Sequence, residues 1–176
     1  HHDAVVTRAR ELGVGLVACR PELPWAQLVV LTRGALDRGR TTDPVRANQD
    51  DLFELADTAA KCLGAPVTIE DNRSRLVAYS TGQEDTDPAR LATIVGRRVP
   101  PPVLAHYRAR GVFRRLVGSA SPFVVEDGPD GTRPRLVVPV HNRGQWLGAI
   151  WAVLDQPVMP PEADTLDEVV AELSSR

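Results

Sequence analysis

The stretch RLVVPVHNRGQWLGAIWAVLD, Arg135–Asp155, reads as two long apolar strands folded back on each other through a polar turn at His141–Gly144. A run this apolar has to be covered on both faces. The covering falls to helices, and amphipathic segments stand before and after it. The architecture this implies suits a small-molecule sensor or a dimerising regulatory module, and no catalytic constellation accompanies it.

Working outward, the chain before the hairpin alternates helix and strand signals. Asn48 can cap a helix in which Leu52, Leu55, Ala56, Ala59 and Leu63 form one stripe, with Asp50 and Asp51 near its start and Lys61 near its end. Gly64 and Pro66 stop it. Val67–Glu70 and Leu76–Ser80 flank Asp71-Asn72-Arg73-Ser74 as a hairpin of two short strands. Asp87 caps a helix with Pro88 at its first position, carrying Leu91, Ile94 and Val95. The triple proline Pro100–Pro102 separates it from a helix ending near Arg110-Gly111. Val112–Leu116 reads as a turn or short extension, and Phe123–Glu126 as another strand. After the central hairpin, a last helix from about Glu162 uses Leu166, Val169, Val170 and Leu173 as its stripe.

Towards the N-terminus, Asp3–Leu12 has Val5, Val6, Ala9 and Leu12 at helical spacing and ends at Gly13. Val14–Cys19 is predicted as a short buried strand. Trp25–Arg38 is predicted as a helix with Trp25, Leu28, Val29, Thr32 and Leu36 on one face. This helix–strand–helix piece is too small to fold alone and is expected to be the C-terminal part of a larger upstream domain. The division is residues 3–38 for that piece, 39–47 for a linker, and 48–176 for one α+β domain. It is expected to have an antiparallel sheet of about five or six strands with helices on both faces.

Composition narrows the function classes. The chain has 176 residues, of which 43% are apolar, and a chain this long buries roughly 70% of its unfolded surface. No apolar run is long enough to span a bilayer and the polar start carries no signal peptide, so a soluble, cytoplasmic protein without membrane contact is expected. The net charge of −2 implies no general attraction to nucleic acid. Cys19 and Cys62 have no metal-site or disulfide spacing and read as buried structural thiols.

Several phrases in this order resemble the GAF-like sensor domains of PucR/CdaR-type bacterial transcription regulators. They are LFELADTAAKCLGAPVTIEDNRSRLVAYS (52–80), RRVPPPVLAHYRARGVFRRL (97–116) and LVVPVHNRGQWLGAIWAVLD (136–155); RARELGVGLVACRPELPWAQLVVLTRGAL (8–36) resembles the end of the N-terminal domain of the same family. The resemblance implies a GAF-like sheet and a homodimer through the terminal helices. It also implies a sensing role whose output, a helix-turn-helix, lies at the far C-terminus. Nothing in these 176 residues reads as that helix-turn-helix, so DNA binding is expected only through another domain. Two alternatives stand beside it: a ligand-free interaction and dimerisation module, and a GAF input domain of a signalling kinase or phosphatase.

In a GAF-like fold the 97–116 segment roofs one face of the sheet. No acidic residue lies between Asp87 and Glu126, whereas Arg90, Arg97, Arg98, Arg108, Arg110, Arg114 and Arg115 do, with His106. Arginine forks suit carboxylate or phosphate. One reading is therefore an anionic ligand, or an acidic patch of a neighbouring domain; the other is a solvated helix face paired with the acid-rich remainder. The residues expected to line the roofed space are Tyr79, Arg97, Arg98, Tyr107, Phe113, Arg114 and Trp151. Aromatic residues in apolar runs are also ordinary core, and then the space is filled. His106 and His141 lack partners at ligand spacing, so no metal or haem is expected. No cysteine follows Cys62 to attach a bilin, and the chain has neither a nucleophile elbow nor a phosphate-binding glycine loop. No cofactor and no catalysis are expected.

Overall fold

The computed structural model describes residues 2–16, 19–20, 25–38, 44–157 and 170. Its centre is the anticipated hairpin. β4 (Arg135–Asn142) and β5 (Gln145–Val153) pair from Arg135↔Val153 to Asn142↔Gln145. The two residues between them, Arg143 and Gly144, both have positive φ (50° and 80°). That is the turn whose twist matches paired strands, and Gly144 adopts it without strain. β1 (Val67–Asp71) and β2 (Leu76–Tyr79) form the second hairpin, and β3 is the short Phe123–Val125. All pairs are antiparallel, and the sheet order is β2-β1-β5-β4-β3. The fold is α+β with five strands, as expected. Pro139 is tolerated in β4 because β3 pairs only with Arg135–Val137, so beyond Val137 the outer edge of β4 needs no donor.

Helices cover both faces. α3 (Pro44–Leu63) lies against one, where Leu55, Ala56, Ala59 and Leu63 pack on Val67, Ile69, Ala78, Leu136, Val138, Ile150 and Ala152. α4 (Pro88–Gly96), α5 (Pro101–Ala109) and α6 (Val112–Gly118) supply the other cover. There Ala89, Val103, Tyr107, Val112 and Leu116 meet Phe123, Val137, Ala149 and Trp151. The alternation of β5 divides the cores, with Ile150 and Ala152 on the α3 side and Ala149 and Trp151 beneath the roof. Gly148 permits the β1–β5 approach: a Cβ there would lie 2.2 Å from the Glu70 carbonyl oxygen.

The structure corrects several expectations. α3 begins at Pro44, so Asn48 lies inside the helix instead of capping it, and part of the expected linker is helical. Proline suits a first helical turn, because its missing N–H is not needed there. Val112–Gly118 is a full helix, α6. Of the predicted strand at 14–19, the described residues 14–16 and 19 have no regular structure, and Val14, Leu16 and Cys19 are exposed; residues 17–18 lie outside the described residues. Cys62 is only partly buried. The α3 stripe is spent on the chain's own sheet, so it is not a free dimer surface. The expected final helix lies outside the described residues except for Val170, which is helical and packs against the α3-side core. The two N-terminal helices are present as α1 (His2–Glu11) and α2 (Trp25–Arg38).

Candidate functional site

The roofed side of the sheet, where a ligand was anticipated, holds four buried ionisable side chains, two acids and two arginines. Glu70 comes from β1, Arg135 from the start of β4, Arg90 from α4 and Asp87 from its N-cap. Each is at most 6% exposed. Asp87 is locally determined: extended backbone before Pro88 lets its carboxylate accept from the Arg90 amide at 3.0 Å. Its other oxygen accepts from the Arg135 guanidinium at 2.5 Å. Arg135 also donates to the Arg133 carbonyl at 2.9 Å. Arg90 donates to the Trp151 carbonyl at 2.8 Å and, at 3.5 Å, to the Gln83 side chain. Gln83 in turn donates to the Val67 carbonyl at 2.8 Å. Four separate segments are thus tied through one polar centre.

Burial dominates the electrostatics there. Desolvation pushes the Glu70 carboxyl up to about 7, against the pull of Arg90, the Thr68 hydroxyl bond and Arg135. Arg90 is drawn down to about 9, first by its own burial and then by the like charge of Arg135. Tyr107 is pushed up to about 12, mainly by burial. Removing Asp87 or Arg135 leaves the other's charge uncompensated in a dry site.

Of the seven residues expected to line this space, the structure brings two together. Tyr107 of the roof stacks on Trp151 of the sheet, with ring centroids 5.1 Å apart and planes inclined by 17°. Together with Arg90 they fill the space between α5 and β5. Tyr79 instead meets Phe53 edge-on, at 5.2 Å, in the α3-side core. Phe113 lies beside Trp146, at 6.3 Å, with Arg108 over its ring. Arg98 and Arg114 are exposed and Arg97 half-buried; none belongs to the buried quartet. Other roof arginines follow the solvated pattern: Arg110 pairs with Glu126 at 2.6 Å on the surface, and Arg115 covers the Phe123 ring at 4.2 Å. His106 Nε2 and His141 Nδ1 are buried without a hydrogen-bond partner among the described residues. No three His, Cys, Asp or Glu side chains converge as a metal site among those residues.

Sequence reasoning did not single out Glu70, Asp87 or Arg135 for this site and placed Arg90 among the roof arginines. A signal was available: Glu70 and Arg135 each stand beside apolar residues of a strand that is covered on both faces. A second concavity, of about 580 Å³, lies between α2 and α4. Trp25, Leu28, Val29, Leu36 and Val95 line it, and Trp25 is 79% exposed.

No family model matches the chain. The DNA-binding transcriptional activator AdeR of Bacillus subtilis (strain 168) is 36% identical over 121 residues, which is 68% of this chain and 29% of the relative. The chain therefore spans less than a third of that relative's length. Among solved structures, similarity is found to the cofactor-binding GAF domain of the nutrient sensor CodY from Clostridium difficile, at TM-score 0.44 and 10% identity over 97% of this chain and 94% of that one. The GAF domain of an Acinetobacter phosphoenolpyruvate-protein phosphotransferase gives TM-score 0.40 and 16% identity over 86% and 92%. No helix among the described residues is long and apolar enough to cross a membrane. The chain is similar over two thirds of its length to part of a bacterial transcriptional activator.

Proposed function

We propose that the chain is the GAF-like, non-catalytic sensing and dimerising part of a cytoplasmic PucR-type transcription regulator, whose DNA reading is done elsewhere. The observation that carries the sensing role is the buried quartet of Glu70, Arg90, Asp87 and Arg135. Asp87 and Arg135 join β4 to the start of α4, and Glu70 of β1 lies within the field of both arginines, so a ligand's own charges could re-pair them. The similarity to the B. subtilis activator supplies the regulatory context. A ligand that enters must displace the Tyr107–Trp151 stack or the Arg90 side chain, so binding is coupled to movement of the roof. Dimerisation is part of the same reading. With the α3 stripe buried, the exposed Trp25, Val29 and Leu36 of α2, beside the exposed Val95 of α4, offer an apolar surface for it.

The filled interior favours a second reading, a ligand-free interaction module, and one experiment separates the two. In thermal-shift assays against small anionic and zwitterionic metabolites, a ligand at 100 times its Kd stabilises by about 2.7 kcal/mol. That shift should vanish in Tyr107→Trp, which crowds the roof. No response to any charged metabolite selects the interaction module. Sedimentation of the wild type and of Leu36→Glu tests the dimer: a monomer at high concentration removes it.

A further inference from the structure

Three turns meet at one end of the sheet and make it strongly basic. The β1–β2 turn carries Arg73 and Arg75, the link from α4 to α5 carries Arg97 and Arg98, and the β4–β5 turn carries Arg143. Backbone bonds hold these segments side by side. Arg75 and Arg98 form an antiparallel bridge, the Leu76 amide donates to the Arg97 carbonyl at 3.0 Å, and the Val99 amide donates to the Ser74 carbonyl at 3.2 Å. The Asn72 amide donates to the Leu147 carbonyl at 2.9 Å, so the β4–β5 hairpin projects past the end of β1 alongside them. Arg73, Arg75, Arg98 and Arg143 are exposed. The acid of these turns is Asp71, already bound to the Arg75 guanidinium at 2.7 Å and to the Arg73 and Arg75 amides. With Arg75 paired to that acid, the exposed Arg73, Arg98 and Arg143 leave an excess of positive charge here, in a chain whose net charge is −2.

We infer that this end of the sheet is a docking surface for the phosphate backbone of duplex DNA. The arginines are spread over three turns instead of converging in a pocket, which suits repeated phosphates better than one small anion. They sit on turns and not on a helix or ribbon shaped for a groove, so they would position the domain along the duplex without reading sequence. The inference rests on the regulatory reading above, since DNA is present only if a reader domain of the same protein brings it close.

The test is fluorescence anisotropy of a labelled random-sequence 30-bp duplex titrated with the 176-residue chain. Engagement of about three arginines predicts an affinity falling roughly 40-fold between 50 and 200 mM salt. The triple variant Arg73→Glu/Arg98→Glu/Arg143→Glu should bind more than tenfold more weakly, with an unchanged circular-dichroism melt because these side chains are exposed. Arg114→Glu, an exposed arginine on α6, should stay within twofold of wild type. No binding at 50 mM salt, an unaffected triple variant or an equal loss in Arg114→Glu overturns the proposal. So does tighter binding to poly-glutamate than to DNA, which would point to an acidic protein partner. A ligand-induced thermal shift that survives such a failure leaves the regulatory reading standing; its absence alongside intact DNA binding removes that reading instead.

Discussion

Glu70→Gln tests the buried quartet directly. The Glu70 carboxyl is raised from 4.5 to about 7 in the folded chain, with burial as the largest cause. Between these two values the folded state holds a proton that the unfolded chain has released, so stability falls as pH rises through the window. One pKa unit corresponds to about 1.4 kcal/mol. Integrated from pH 5 to pH 8, the loss attributable to Glu70 comes to roughly 2.5 kcal/mol. Glutamine keeps a carbonyl oxygen for the Thr68 hydroxyl but cannot ionise. Urea unfolding of both proteins at half-unit pH steps gives the assay, and subtracting the variant's stability from that of the wild type cancels the other titrating groups. The difference should decline with pH and flatten above about 7. A flat difference across pH 5–8, or one that rises, refutes the placement of a buried, desolvated carboxyl at this site.

Other changes probe neighbouring parts of the same physics. Asp87→Ala removes both the α4 cap and the partner of a guanidinium that is itself almost fully buried; the expected loss is about 3–5 kcal/mol in urea unfolding. The exposed Arg8–Glu11 pair gives the contrast, because Glu11→Ala should cost under about 1 kcal/mol. Gly148→Ala should abolish cooperative unfolding or cost several kcal/mol, since the new Cβ would strike a strand carbonyl that cannot move aside. Tyr107→Ala should cost about 3–5 kcal/mol and red-shift tryptophan emission as the Trp151 ring loses its cover. Ala59→Leu, at a fully buried α3 position, should destabilise by about 1–3 kcal/mol without changing the sedimentation coefficient, because that stripe faces the sheet.

Much of the fold was legible in local pattern. The apolar run 135–155 with its polar tip specified a hairpin, and its lack of polar alternation specified cover on both faces. The Asp87-Pro88 pair marked a helix start to the residue, because cap chemistry and proline geometry are both local. Local pattern misled where it had to compete with context. The apolar VGLVAC segment has strand character, yet its described residues 14–16 and 19 carry no regular structure, because a strand forms only where a partner strand completes its hydrogen bonds. The α3 stripe reads equally well as core or as interface until a sheet is found against it.

What the sequence by itself determined is the two hairpins, the helix starting at Pro88 and the excess of arginine between Asp87 and Glu126, since these follow from near-neighbour spacing. Which arginines lie inside was decided only by the tertiary structure. Arg135 finds its carboxylate 48 positions away, and Arg90 finds the Trp151 carbonyl 61 positions away. A charge can be buried only where folding brings a distant counter-charge or acceptor to meet it, and no local window contains that partner.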